Sequence, residues 1–102
     1  NTYNTTNDTS SMLDLIDKLL ASLPEIQGVD AEEIENVKDD LEMVQEQLKT
    51  DNPKKNRIGK ALVGIKKFAG DFSMKLAVTL AAGAVTGADW GMLLQQLENF
   101  IR

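Results

Sequence analysis

Cysteine and histidine are both missing from this 102-residue chain. Without cysteine there is no disulfide framework, no thiolate zinc site and no thiol nucleophile. Without histidine neither a Ser-His-Asp triad nor an imidazole metal site can be assembled. One Trp, one Tyr and three Phe make up all the aromatics, too few for a platform on which nucleic-acid bases stack. No glycine-rich phosphate loop is present: Gly59, Gly64 and Gly70 are spread along a helical stretch with no strand before them. What is present is enough apolar material for a core, 42% of residues, with a formal net charge of −5. Length and composition together indicate one domain that folds alone, with a stability of roughly 5–15 kcal/mol.

The first ten residues are nearly all Asn, Thr and Ser. A stretch that buries nothing reads as a disordered polar linker over 1–10. Residues 11–102 then read as a single helical domain, expected to be the C-terminal domain of a longer protein. Asn4-Thr5-Thr6 and Asn7-Asp8-Thr9 match the N-glycosylation pattern, which arises readily by chance in so Asn/Thr-rich a segment.

Apolar spacing marks out the helices. Met12, Ile16, Leu19 and Leu23 form one face of a first helix over about 11–23, with a capping box at Ser11 and Asp14. Pro24 stops it and Gly28 supplies a turn. Asp30 and Glu33 form a second capping box ahead of a helix from Ala31 to about Thr50. Its seam of Ile34, Val37, Leu41, Val44 and Leu48 steps by three and four, as heptads do. Asn52 is expected to cap a third helix with Pro53 at its first position. Ile58, Leu62, Ile65 and Ala69 are the seam of that helix, and Phe72 and Leu76 continue the register. Gly70-Asp71 favours a break there, although the unbroken register also fits one long kinked helix. A fourth helix over about 72–85 is nearly apolar all round, and Gly87 ends it. Asp89 is expected to cap the last helix, which carries Leu93, Leu94, Leu97, Phe100 and Ile101. No strand alternation competes with these patterns.

Charge is segregated along the chain. Between residues 24 and 52 ten acids face two lysines, and between 53 and 75 seven bases face one acid. At about 100° per residue, Glu35, Asp39, Glu42 and Glu46 lie opposite the apolar seam of the acidic helix, and Arg57, Lys60 and Lys67 lie opposite that of the basic one. If the seams face each other in a hairpin, both charged faces point outward and do not neutralise one another. Solvated charged faces are common and weak in their effect on stability. A stripe of each sign on one molecule also suits a docking surface or self-complementary association.

Other chemistries fit less well. The acids of the second helix have the spacing of an exposed face, not of a pocket that tunes a catalytic carboxylate, so the chain is expected not to be an enzyme. Glu42 and Glu46 lack the Asp/Gly pattern of a calcium loop, and no metal or other cofactor is expected. The basic helix suits phosphates, but an acidic domain repels nucleic acid. The apolar run 76–88 is about 13 residues, against the roughly 20 of a membrane span, and therefore reads first as a core helix. A basic amphipathic helix before it, Trp90 after it and the small residues Ala77, Ala81, Gly83, Ala84 and Gly87 keep a conditional membrane module as the alternative.

The segment from Asp51 to Gly70, DNPKKNRIGKALVGIKKFAG, with the small-residue apolar helix and closing amphipathic helix after it, resembles the C-terminal helical regions of uncharacterised bacterial proteins, some of them associated with phage defence. The resemblance spans about residues 31–101 and rests on composition. It implies a bacterial helical accessory module that serves assembly, and it carries over no catalytic or ligand residues. The expected fold is all-α: a compact four- to five-helix bundle with an acidic/basic helical hairpin and a buried small-residue apolar helix. The expected function is a non-catalytic interaction or oligomerisation module, cytoplasmic or membrane-peripheral, that pairs with a protein partner or with itself. The acidic stripe of Glu35, Asp39, Glu42 and Glu46 and the basic stripe of Arg57, Lys60 and Lys67 would carry it.

Overall fold

The computed structural model describes the backbone of residues 2–76 and 87–102, and the side chains of residues 9–74 and 87–102. Every regular element among them is helical: α1 (Thr2–Ser22), α2 (Ala31–Lys49), α3 (Lys55–Asp71), α4 (Ser73–Leu76) and α5 (Gly87–Ile101), with a 3-10 turn at Leu23–Glu25. The all-α expectation therefore holds. The apolar fourth helix expected over 72–85 falls mostly on residues 77–86, outside the described residues, and so does its expected place at the centre of the bundle.

α1 begins at Thr2, well before Ser11. The capping-box reading at Ser11 is thus corrected, and the backbone of Thr2–Ser10 continues the helix where a linker was expected. Once a docked apolar face has formed the first turns, each added residue gains a hydrogen bond at little further entropic cost. Polar residues therefore extend a helix without contributing to its periodicity. At the other end the Ser22 hydroxyl donates to the Leu19 carbonyl at 2.8 Å. Pro24 sits in the 3-10 turn, and Gly28 takes a φ of 80° that other residues rarely adopt.

α2 starts after Asp30, as the sequence indicates, but the Asp30 side chain makes no capping hydrogen bond. Glu32 and Glu33 in its first turn and Lys49 in its last complement the helix dipole. α3 starts at Lys55, not at Pro53. Lys54 is its extended N-cap, and the Lys54 N–H donates to Gln47 Oε1 at 2.9 Å. α3 ends with Phe72 as its C-cap at φ −117° and ψ 28°, two residues past the Gly70 expected to break it. Gly87 and Asp89 both lie within α5, so Asp89 is not its cap.

α2 packs most extensively on α3, α3 on α5, α5 on α1 and α1 on α2. Each long helix therefore touches two neighbours around one core. Its buried centre comprises Ile16 and Leu19 of α1, Val37, Leu41 and Val44 of α2, Ile58 and Ile65 of α3, and Trp90, Leu93 and Leu97 of α5. Phe68 packs against both Phe72 and Trp90, at ring-centroid distances of 5.0 and 5.5 Å. Phe68 is buried where the seam pointed to Ala69, because the side of α3 that faces the core is wider than a strict three-four stripe. The radius of gyration is 13.1 Å, close to the scaling for a folded chain of this length.

Candidate functional site

The α2–α3 hairpin is antiparallel, and two contacts fix its register. Gln47 meets Lys54 beside the turn, and the Asp40 carboxylate lies over Gly64; farther along, Lys67 feels the charge of Glu33. Glu33, Asp40 and Gln47 stand seven residues apart, each just before an apolar residue of the seam. Heptad spacing places them along one flank, and that flank is turned to α3. The opposite flank is turned to α1: the Gln45 side chain donates to the Asp17 carboxylate of α1. On α3 the flank carrying Gly64 meets α2, and the flank carrying Gly59 and Lys66 meets α5. Lys66 Nζ pairs there with Glu98 at 3.0 Å, and Gly59 lies against Ile101.

With both flanks of each helix taken, the charged stripes are what remains. Glu35, Asp39, Glu42 and Glu46 are all exposed, and so are Arg57, Lys60 and Lys67. Among the described residues no ion pair involves the four acids, Arg57 or Lys60. Lys67 differs. Its ammonium bonds Asp71 at 3.1 Å on the same helix, and that carboxylate, followed by the field of Glu33, raises its pKa above the ordinary lysine value. Glu33, which is not one of the four stripe acids, sits on the α3 side of α2 and not opposite the seam. Each stripe also carries an exposed apolar residue: Met43, 36% exposed, on α2 and Val63, 67% exposed, on α3.

Sequence reasoning missed two positions. Asp40, half-buried beside α3, has its carboxyl pKa raised by desolvation and then by the neighbouring charge of Asp39. Gly64 gives it room, since a Cβ there would overlap the carboxylate. Gln47 is buried and serves as the hinge pin of the hairpin: its carbonyl accepts from the Thr50 N–H and hydroxyl, and its side chain accepts from Lys54. The seven-residue spacing of Glu33, Asp40 and Gln47 was the available signal.

Two clefts open elsewhere. One, of about 280 Å³, lies between α1 and α5 and is lined by Ser11, Met12, Gln96, Asn99 and Phe100. The other, of about 340 Å³, lies between α3 and α5 beside Ala69, Gly70, Trp90 and Gly91, and its one charged described residue is the paired Lys66. Among the described residues no three acidic side chains converge as metal ligands would, and no helix is long and apolar enough to cross a membrane. The apolar side of α3 that would meet lipid is instead buried at Ile58, Leu62 and Ile65. No protein-family model, curated protein or solved structure matches the chain.

Proposed function

We propose that this chain is a non-catalytic helical interaction module, and that the outer face of the α2–α3 hairpin is its contact surface. The observation that carries the reading is the pair of exposed, oppositely charged stripes. All their members but Lys67 lack an ion-pair partner among the described residues. Like charges held three or four residues apart repel by roughly 0.2–0.5 kcal/mol per pair. A complementary surface relieves that repulsion on both helices at once. Exposed Met43 and Val63 add apolar contact within each stripe. A lipid surface is the weaker reading, since the bundle would have to open before the apolar side of α3 reached it.

The test is molar mass by light scattering at about 50 mM and about 500 mM salt, which bracket weak and strong screening. The native chain is expected to exceed its 11.2 kDa monomer mass at low salt and to fall towards it at high salt. The double variant Asp39→Lys, Glu42→Lys is expected to remain folded and monomeric at both. A variant as heavy as the native chain would move the contact away from the acidic stripe. Salt-insensitive assembly would move it onto apolar surface, and sedimentation of the intact fold with anionic vesicles would favour the lipid reading.

A further inference from the structure

Resting on that reading, we infer that the partner of the hairpin face is a second copy of this chain, bound about a twofold axis parallel to the hairpin. α2 of each copy then lies against α3 of the other. Along α3 the outward positions run Lys60, Val63, Lys67, and backwards along α2 they run Glu46, Met43, Asp39. Both series step by three and then four residues, so antiparallel helices bring all three pairs together in one register. Lys60 meets Glu46, Val63 meets Met43 and Lys67 meets Asp39. All six residues are exposed.

The fold places these two rows on one side of the molecule. On α2, Met43 lies about 160° round the helix from Gln45, the residue that reaches α1. On α3, Lys60 and Lys67 lie about 120° and about 100° from Lys66, which is taken by α5. Both rows therefore face away from α1 and α5. A rotation about an axis parallel to the helices moves no residue along that axis, so the dimer inherits the register of the hairpin itself. With Asp40 level with Gly64, Lys60, Val63 and Lys67 each come within two residues, about 3 Å of rise, of the partner's Glu46, Met43 and Asp39. A twofold axis across the hairpin would instead set acidic α2 on acidic α2. The Lys67–Asp71 bond is exposed and within one helix, a weak competitor for the Lys67 ammonium. By symmetry each contact occurs twice, and the interface is closed rather than polymeric.

The pairing is tested by charge exchange. Lys60→Glu and Glu46→Lys each put like charges together in their own dimers, and each is expected to weaken self-association by about tenfold or more, because juxtaposed like charges are strongly disfavoured. Mixed together, the two variants are complementary at both symmetry-related contacts, and the mixture is expected to regain the native dimer mass in sedimentation at low salt. The double variant carrying both changes is expected to dimerise alone. Circular dichroism confirms that each variant is folded. Single variants that associate like the native chain, or a mixture that stays monomeric, would overturn this pairing while leaving the salt-sensitive assembly of the native chain, and the broader reading, intact. A native chain that is monomeric at about 1 mM and low salt, a protein-rich condition for a weak charged contact, would overturn the twofold dimer itself.

Discussion

Asp40 and Gly64 show how much one missing Cβ decides. Gly64 is a poor helix former in the middle of α3, by about 1 kcal/mol relative to Ala, yet it lets a carboxylate lie over the α2–α3 seam. Burial and Asp39 raise the pKa of that carboxyl, so the folded state favours its protonated form. Its effect on stability follows: no penalty at a pH below the ordinary aspartate value of 3.8, and a growing one as pH rises through that value to the higher one of the folded chain. Asp40→Asn is expected to raise stability at neutral pH by less than about 0.5 kcal/mol, since solvent screens a half-exposed group, and to be neutral below the titration. Urea unfolding across pH measures this. Gly64→Ala is expected to swing the Asp40 side chain outwards, return its titration towards the ordinary range and stabilise α3 by about 0.5 kcal/mol. NMR titration of Asp40 checks the first outcome and urea unfolding the second. At the centre of the core, Leu41 is fully buried, and Leu41→Ala is expected to lose about 2–5 kcal/mol.

At the scale of the element, the hairpin turn depends on Gln47. Its side chain satisfies the Lys54 N–H, and its carbonyl receives Thr50 twice. Gln47→Ala keeps the helix propensity and the carbonyl but orphans the Lys54 donor. The expected loss is about 1 kcal/mol, the usual scale for one such bond, with faster hydrogen exchange at Lys54 than in the native chain. The same turn explains why Pro53 is not the start of α3. A proline suits a first helical position, but the extended residue tied to Gln47 is Lys54, and the helix starts after it.

At the scale of the whole molecule, the described helices share one core. Trp90, the sole tryptophan, lies 1% exposed within it against Phe68 of α3. Its fluorescence is expected to be blue-shifted in the folded chain and to redden in urea along the same curve as the loss of helical circular dichroism, as a single cooperative unit requires. Separate curves would mean that the α3–α5 contact opens before the α1–α2 side. The charge distribution belongs to this scale as well. Acidic α2 and basic α3 are neighbours in the ring, so the dipole read along the chain becomes two parallel rows on one face.

Which side of each helix is apolar was legible in the sequence. Val37, Leu41 and Val44 of α2 and Ile58, Leu62 and Ile65 of α3 are buried as their spacing indicated, because helical periodicity is a local property that each segment writes for itself. The outward position of six of the seven stripe residues follows from the same periodicity; Arg57 stands seven residues before Gly64, on the flank turned to α2, and is nonetheless exposed. Helix ends were less legible: Ser11 and Asp89 lie inside helices that the sequence started there, and α3 starts at Lys55 and not at Pro53, since end signals are worth about 1 kcal/mol and a docked neighbour outweighs them. Only the tertiary structure decided which neighbour each flank would meet, and with it the roles of Gln47, Asp40 and Gly64. Those roles arise from residues far apart in sequence and set at one height by the turn, a relation that no single helix contains.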